Sequence, residues 1–192
     1  GLDLYVGGVF DQAGSVTANY VARWNGSTWS SLGTGLANGL NSDVRSIAVI
    51  GNQLFVGGSF TQAGGAPVNR IAQWNGSNWT ALGAGATNGI LGDVNALVAI
   101  GTDLYVGGYF RFAGGIEVNN VARWNGSAWS APGNGAGLFP VDRVNALAAD
   151  QGDIVKAGTV LARLDADAQR AKLMKSDAAL RQSAANLLRV QA

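Results

Sequence analysis

Few side chains in this protein are equipped for covalent or proton-transfer chemistry. It has no histidine and no cysteine. That excludes a histidine general base, a thiol nucleophile, a disulfide framework and a zinc site built from the usual nitrogen and sulfur ligands. Carboxylates recur at matching places, Asp43 with Asp93 and Asp3 with Asp103. Two carboxylates are the machinery of glycoside hydrolysis, but nothing in the spacing singles out one pair. Calcium needs several oxygens converging on one ion, and no Asp-x-Asp-x-Asp-Gly run is present. We expect these acids to cap turns. Asn25, Asn75 and Asn125 each open an Asn-Gly-Ser triplet, formally a glycosylation acceptor, although turn chemistry already accounts for Asn-Gly.

The elements that must position these groups repeat. Leu4-Tyr5-Val6-Gly7-Gly8 returns as Leu54-Phe55-Val56-Gly57-Gly58 and as Leu104-Tyr105-Val106-Gly107-Gly108. Trp24-Asn25-Gly26-Ser27 returns at Trp74 and Trp124, and a second tryptophan falls at Trp29, Trp79 and Trp129. The period is 50 residues without insertion or deletion. Each unit predicts four short strands, in the second unit near 44–50, 54–60, 70–74 and 78–82, with 83–92 as the loop to the next. Asn75-Gly76 predicts a two-residue type I′ hairpin, in which both central residues take φ > 0. The glycine pair predicts a close approach of strands where a Cβ would clash.

A repeat protein needs the same contact at every junction, so we assign Trp24, Trp29, Trp74, Trp79, Trp124 and Trp129 to the repeat core rather than to a sugar-stacking surface. Recognition belongs to what varies between units: Val9, Ser59 and Tyr109, and the loop around Gln12, Gln62 and Phe112. Tyr109, Phe112, Gln12 and Gln62 are therefore the candidate partner-binding residues. No cofactor or metal site is expected. Charged residues are 13% of the chain and the net charge is +1, which argues against a nucleic-acid partner.

Four strands in about 50 residues is the size of a propeller blade. The pattern resembles a kelch-type repeat: an apolar strand, a strand ending in Gly57-Gly58, an aromatic at Trp74 and a tryptophan at Trp79. Kelch repeats usually carry tyrosine where Trp74 stands, so the likeness is to a divergent kelch-like or galactose-oxidase-central-domain-like propeller over 1–149, with units near 1–50, 51–100 and 101–149. The oxidase activity is not implied, because its copper site needs histidines and a cysteine-linked tyrosine. Fold class is expected to be mainly β, three four-stranded propeller-type blades in an incomplete ring, then a short β segment and one long C-terminal α-helix. The first blade lacks its innermost strand. Either a parent chain carries more blades or subunits associate to complete the ring, since open edges invite aggregation. The start at Gly1, with Met174 the only methionine, suggests a processed or truncated product.

Beyond Asp150 the composition changes. Every aromatic residue lies before it and every lysine after it. Gly152-Asp153-Ile154-Val155-Lys156-Ala157-Gly158 and Leu161-Ala162-Arg163-Leu164-Asp165 resemble the first half of a biotinyl/lipoyl hammerhead. The alanine-rich stretch that follows predicts a helix whose Leu173, Leu180 and Leu187, spaced by seven, form the seam for a partner helix. Together, 150–192 look like the membrane-fusion (periplasmic adaptor) subunits of bacterial efflux and type I secretion systems. The lipoyl lysine has no counterpart: Asp165-Ala166-Asp167-Ala168 ends in alanine, and we read Lys156 as a solvated strand residue. An alternative keeps the repeat going, because Val144-Asn145-Ala146-Leu147 stands 50 residues after Val94-Asn95-Ala96-Leu97. Functionally, a non-enzymatic exported or cell-surface (bacterial or periplasmic) module binding a protein or glycan partner is expected. The alternative is an adaptor component of an efflux or secretion assembly, or a fusion of the two.

Overall fold

A computed structural model describes residues 3–132 and 143–147. The expected seam Leu173, Leu180 and Leu187, the long helix, the lipoyl-like segment and Lys156 lie outside the described residues. The protein is mainly β, built as several antiparallel sheets. In chain order the first unit holds β1 (Leu4–Gly7), a small hairpin of β2 (Gln12–Ala13) and β3 (Val16–Thr17), β4 (Val21–Trp24) and β5 (Trp29–Ser31). The second holds β6 (Val44–Ile50), β7 (Gln53–Gly58), a hairpin of β8 (Gln62–Ala63) and β9 (Ala66–Pro67), β10 (Ile71–Trp74) and β11 (Trp79–Ala81). The third holds β12 (Ile90–Ile100), β13 (Asp103–Ala113), β14 (Ile116–Glu117), β15 (Val121–Trp124) and β16 (Trp129–Ser130).

The first sheet runs β1-β4-β5, the second β6-β7-β10-β11 and the third β12-β13-β15-β16, with β14 also on β13. Register repeats with the sequence: Leu4, Leu54 and Leu104 face Trp24, Trp74 and Trp124 across their ladders. β7 is buried from Leu54 to Gly58, the continuous apolar run of a strand covered on both faces. One core cluster lies between the first and second sheets around Val21, Leu32, Leu54, Val56 and Trp79. A second lies between the second and third around Phe55, Ile71, Leu82, Val106 and Trp129.

Glycine sets the spacing between sheets. A Cβ added to Gly7, Gly57 or Gly107 would overlap Cγ1 of Val44, Val94 or Val144 respectively. The close approach expected of the glycine pair therefore occurs at three successive places. It also places 143–147: Val144 is buried, and its amide donates to Gly108 O at 2.9 Å. Val44 meets Gly8 in the same way at 3.4 Å. Residues 143–147 thus dock on the third sheet through the same contacts by which Val44 meets the first.

Three details depart from the sequence. Asn75 does not take a positive φ; among the described residues the non-glycine positive values fall at Tyr20, Arg70, Asn119 and Asn120. The expected type I′ turn is therefore not formed. The Asn75 carboxamide oxygen instead accepts the amides of Ser77 and Asn78 at 3.0 and 2.8 Å. It nucleates an Asx turn that leaves Gly76 alone at φ +98°. The small hairpins were not expected, because strands of two residues carry no alternation. In the second unit the long second strand expected over 54–60 gives way at Gly58, where the chain turns toward β8.

Candidate functional site

The tryptophans form cross-strand pairs with ring centroids 5.2–5.3 Å apart and planes tilted by 49–50°, a geometry favoured by their quadrupoles. Trp74, Trp79, Trp124 and Trp129 are buried, whereas Trp24 and Trp29 are half-buried. In the second and third units the second member of the pair reaches back one unit: Trp79 Nε1 donates to Leu32 O at 2.9 Å and Trp129 Nε1 to Leu82 O at 3.0 Å. Each thus joins the outer strand of one sheet to the chain leaving the previous sheet.

The positions that vary lie at one end of the inner strands. Val9 is 83% exposed, Ser59 is half-buried and Tyr109, in β13, is 48% exposed. The Arg143 guanidinium lies 5.6 Å from the Tyr109 ring centroid, within cation–π range. Phe112 is half-buried beside Arg111, whose guanidinium lies 5.4 Å from its ring and pairs with Glu117 at 3.0 Å. Gln12 and Gln62 are exposed on separate hairpins, one per unit. Tyr109 and Phe112 lie three residues apart on one strand; Gln12 and Gln62 are set apart by the repeat. Gln12 also borders a pocket of about 260 Å³ lined by Val6, Phe10, Ala13, Ala22 and Trp29.

The acids do not cap turns as expected. They are ion-paired to arginines, because the repeat sets each guanidinium across a ladder or a junction from a carboxylate. Asp3, just before β1, meets Arg23 of β4 at 2.8 Å, and Asp103 of β13 meets Arg123 of β15 at 2.7 Å. Arg45 spans a junction, bonding Asp43 at 2.8 Å, Asp93 at 2.9 Å and Asn95 at 3.0 Å, while Asn95 donates to Val144 O at 3.0 Å. Sequence alone held a signal for the first two pairs. Where positions 3 and 103 are Asp, 23 and 123 are Arg; the middle unit has Gln53 and Gln73 at those places. These pairs tie neighbouring strands and one junction together. Among the described residues no group of three or more potential metal ligands converges.

Burial pushes the Asp43 carboxyl up, but hydrogen bonds from Ser59, Arg45 and Ser42 and the Arg45 charge outweigh it, leaving the group below its ordinary value. A carboxyl depressed on folding stabilises above its unfolded pKa of about 3.9 and loses that contribution as pH falls through the lower folded value. We expect Asp43→Asn to lower the urea midpoint at neutral pH, by about 1 kcal/mol of stability for a part-exposed network. The variant and wild-type curves should converge as pH falls through that lower folded value. A constant gap across that range would show that the carboxylate charge is not what Arg45 requires. No family model matches this chain, and no curated protein matches it.

Proposed function

We propose that this protein is a non-enzymatic binding module, in which propeller-type blades form a constant frame and the end of the inner strands carries the variable, recognising residues. Support for the blade assignment comes from the repeated sheet order, the matched register and the glycine-mediated contact between successive first and second strands. The observation that carries the binding role is the contrast between positions. In the second and third sheets Leu54 and Leu104 are 2% and 0% exposed at an invariant place that Leu4 leaves 55% exposed, while Val9 and Tyr109 are 83% and 48% exposed at a varying one where Ser59 is half-buried. An aromatic with a cation stacked on it, and a half-buried phenylalanine three residues along the same strand, suit a protein or glycan partner: apolar area with a polar rim. Absence of histidine and cysteine, and ion-paired carboxylates, favour binding over catalysis. We assign the protein to an exported or cell-surface setting.

The test is a screen of the whole chain against arrayed glycans and candidate surface proteins, followed by calorimetric titration of each hit. Tyr109→Ala and Phe112→Ala should each weaken binding about tenfold or more, as truncation of an aromatic anchor does. Near-ultraviolet circular dichroism of the tryptophan pairs should stay unchanged. Hits indifferent to both substitutions, or turned over by the protein, would remove the proposal.

A further inference from the structure

An asparagine followed by glycine is open to attack on its side chain by its own main chain, because no Cβ shields the glycine nitrogen. Five such steps fall among the described residues: Asn25-Gly26, Asn38-Gly39, Asn75-Gly76, Asn88-Gly89 and Asn125-Gly126. The fold sorts them into two classes. Asn25, Asn75 and Asn125 sit at the tips of the hairpins joining β4 to β5, β10 to β11 and β15 to β16. All three are exposed, and a Cβ on Gly26, Gly76 or Gly126 would meet nothing within 4 Å. Asn38 and Asn88 lie in the chain leaving the first and second sheets, Asn38 buried and Asn88 half-buried.

The reacting groups differ accordingly. At each tip the carboxamide oxygen accepts two backbone amides. These come from Ser27 and Thr28 at 2.9 and 2.8 Å, from Ser77 and Asn78 at 3.0 and 2.8 Å, and from Ser127 and Ala128 at 3.0 and 2.8 Å. The hydroxyls of Ser27 and Ser127 add a third donor, each at 3.0 Å. Such donors draw electron density from Cγ and already face the oxygen on which negative charge develops when Cγ is attacked. The turn closed by the Ser77 amide encloses the Gly76 nitrogen, which keeps nucleophile and Cγ within one small ring. Among the described residues nothing accepts from the Gly26, Gly76 or Gly126 amide. In the loops these conditions are reversed. The Gly39 amide donates to Leu32 O at 3.0 Å and the Gly89 amide to Leu82 O at 2.7 Å. Asn38 Nδ2, the leaving group there, is held by Thr17 O at 2.7 Å. Oδ1 of Asn38 and of Asn88 is buried with no donor among the described residues, so charge developing on it would be unsupported.

We propose that Asn25, Asn75 and Asn125 are sites of spontaneous covalent modification, from which the fold protects Asn38 and Asn88. The glycine nitrogen attacks Cγ and gives up its proton to the departing amide. The N–Cγ bond forms, the Cγ–Nδ2 bond breaks, and ammonia leaves a succinimide ring. Water then opens the ring at either carbonyl, to aspartate or to isoaspartate. Water is the only co-reactant, and nothing is oxidised or reduced. Each event exchanges a neutral amide for a carboxylate, so all three take the net charge from +1 to −2. Isoaspartate routes the main chain through the former side chain, adding one carbon between residues 75 and 76. The Asn75 amide bonds Asn78 O at 3.2 Å directly beside the Trp74–Trp79 pair. That product therefore carries a change at an exposed tip into the repeat core.

Tandem mass spectrometry of the whole chain, native and in guanidinium chloride, over a time course at mildly alkaline pH tests this. In the native protein the three tips should convert about tenfold or more faster than Asn38 and Asn88, the order of effect that oxyanion donors have. Isoaspartate should be among the products. In denaturant all five should convert at similar rates, since only the dipeptide remains. The proposal is overturned if all five convert alike in the native protein. It is equally overturned if the tips convert more slowly folded than unfolded, which would make the Asx turn a shield. Aspartate without isoaspartate would mean that water, not the glycine nitrogen, attacks Cγ, and would also overturn it.

Discussion

Gly57→Ala is expected to destabilise the protein by about 3 kcal/mol, the upper range for forcing one carbon into a filled core. The new Cβ would land on Val94 Cγ1, with Val94 Cβ and Leu97 Cγ at 3.2 and 3.3 Å. Val94 is fully buried and, being β-branched, has little rotamer freedom with which to give way. The backbone cannot retreat either, since Gly57 is paired with Ser46 on one side and Ile71 on the other. Val94→Ala alone leaves a cavity and should cost about 2 kcal/mol. Together the two changes should cost clearly less than their sum, because the methyl group removed is the one that clashed. Urea denaturation followed by tryptophan fluorescence measures all four corners of that cycle. Additive losses would mean that glycine is required at 57 for something other than room beside Val94.

Trp129→Ala should be worse, costing about 4 kcal/mol as large buried aromatics do. The ring is packed on Trp124 at 5.2 Å, its N–H bonds Leu82 O across the junction, and a Cβ on Gly114 would overlap it. The same substitution at Trp29 is an internal control. That ring pairs with Trp24 in the same geometry, but it is half-buried and its N–H has no acceptor among the described residues. Trp29→Ala should therefore cost about half as much. Equal losses at the two sites would show that the pair within a sheet, rather than the reach to the previous unit, carries the energy.

Much of the frame was legible because a repeat prints each packing constraint several times. Strand 44–50 is found at the expected residues, and Gly57 lies where a Cβ has no room. The strand ends were less legible. Tyr20, Arg70 and Asn120 share one place with φ of 64°, 61° and 71°, yet only asparagine has a propensity that announces a left-handed residue. Tertiary bonds fix it: the Tyr20 amide donates to Phe10 O at 2.8 Å, and the Tyr20 carbonyl accepts from Gly8 at 3.1 Å. The hairpin at Asn75 misled because Asn-Gly suits two turns, and the choice was made by a side-chain oxygen reaching two amides. Of the candidate site, Tyr109 and Phe112 were visible as differences between units. The Arg143 stack on Tyr109 was not, since Arg143 stands where the other units have Asp43 and Asp93.

Because Trp79 reaches only to Leu32 and Trp129 only to Leu82, each unit is held by its nearest neighbours. Cooperativity in such a chain is handed along from unit to unit. The second sheet has a neighbour on either side, while beyond β1 there is no strand among the described residues. Local opening therefore starts at β1 and works inward, with β7 among the last to be released.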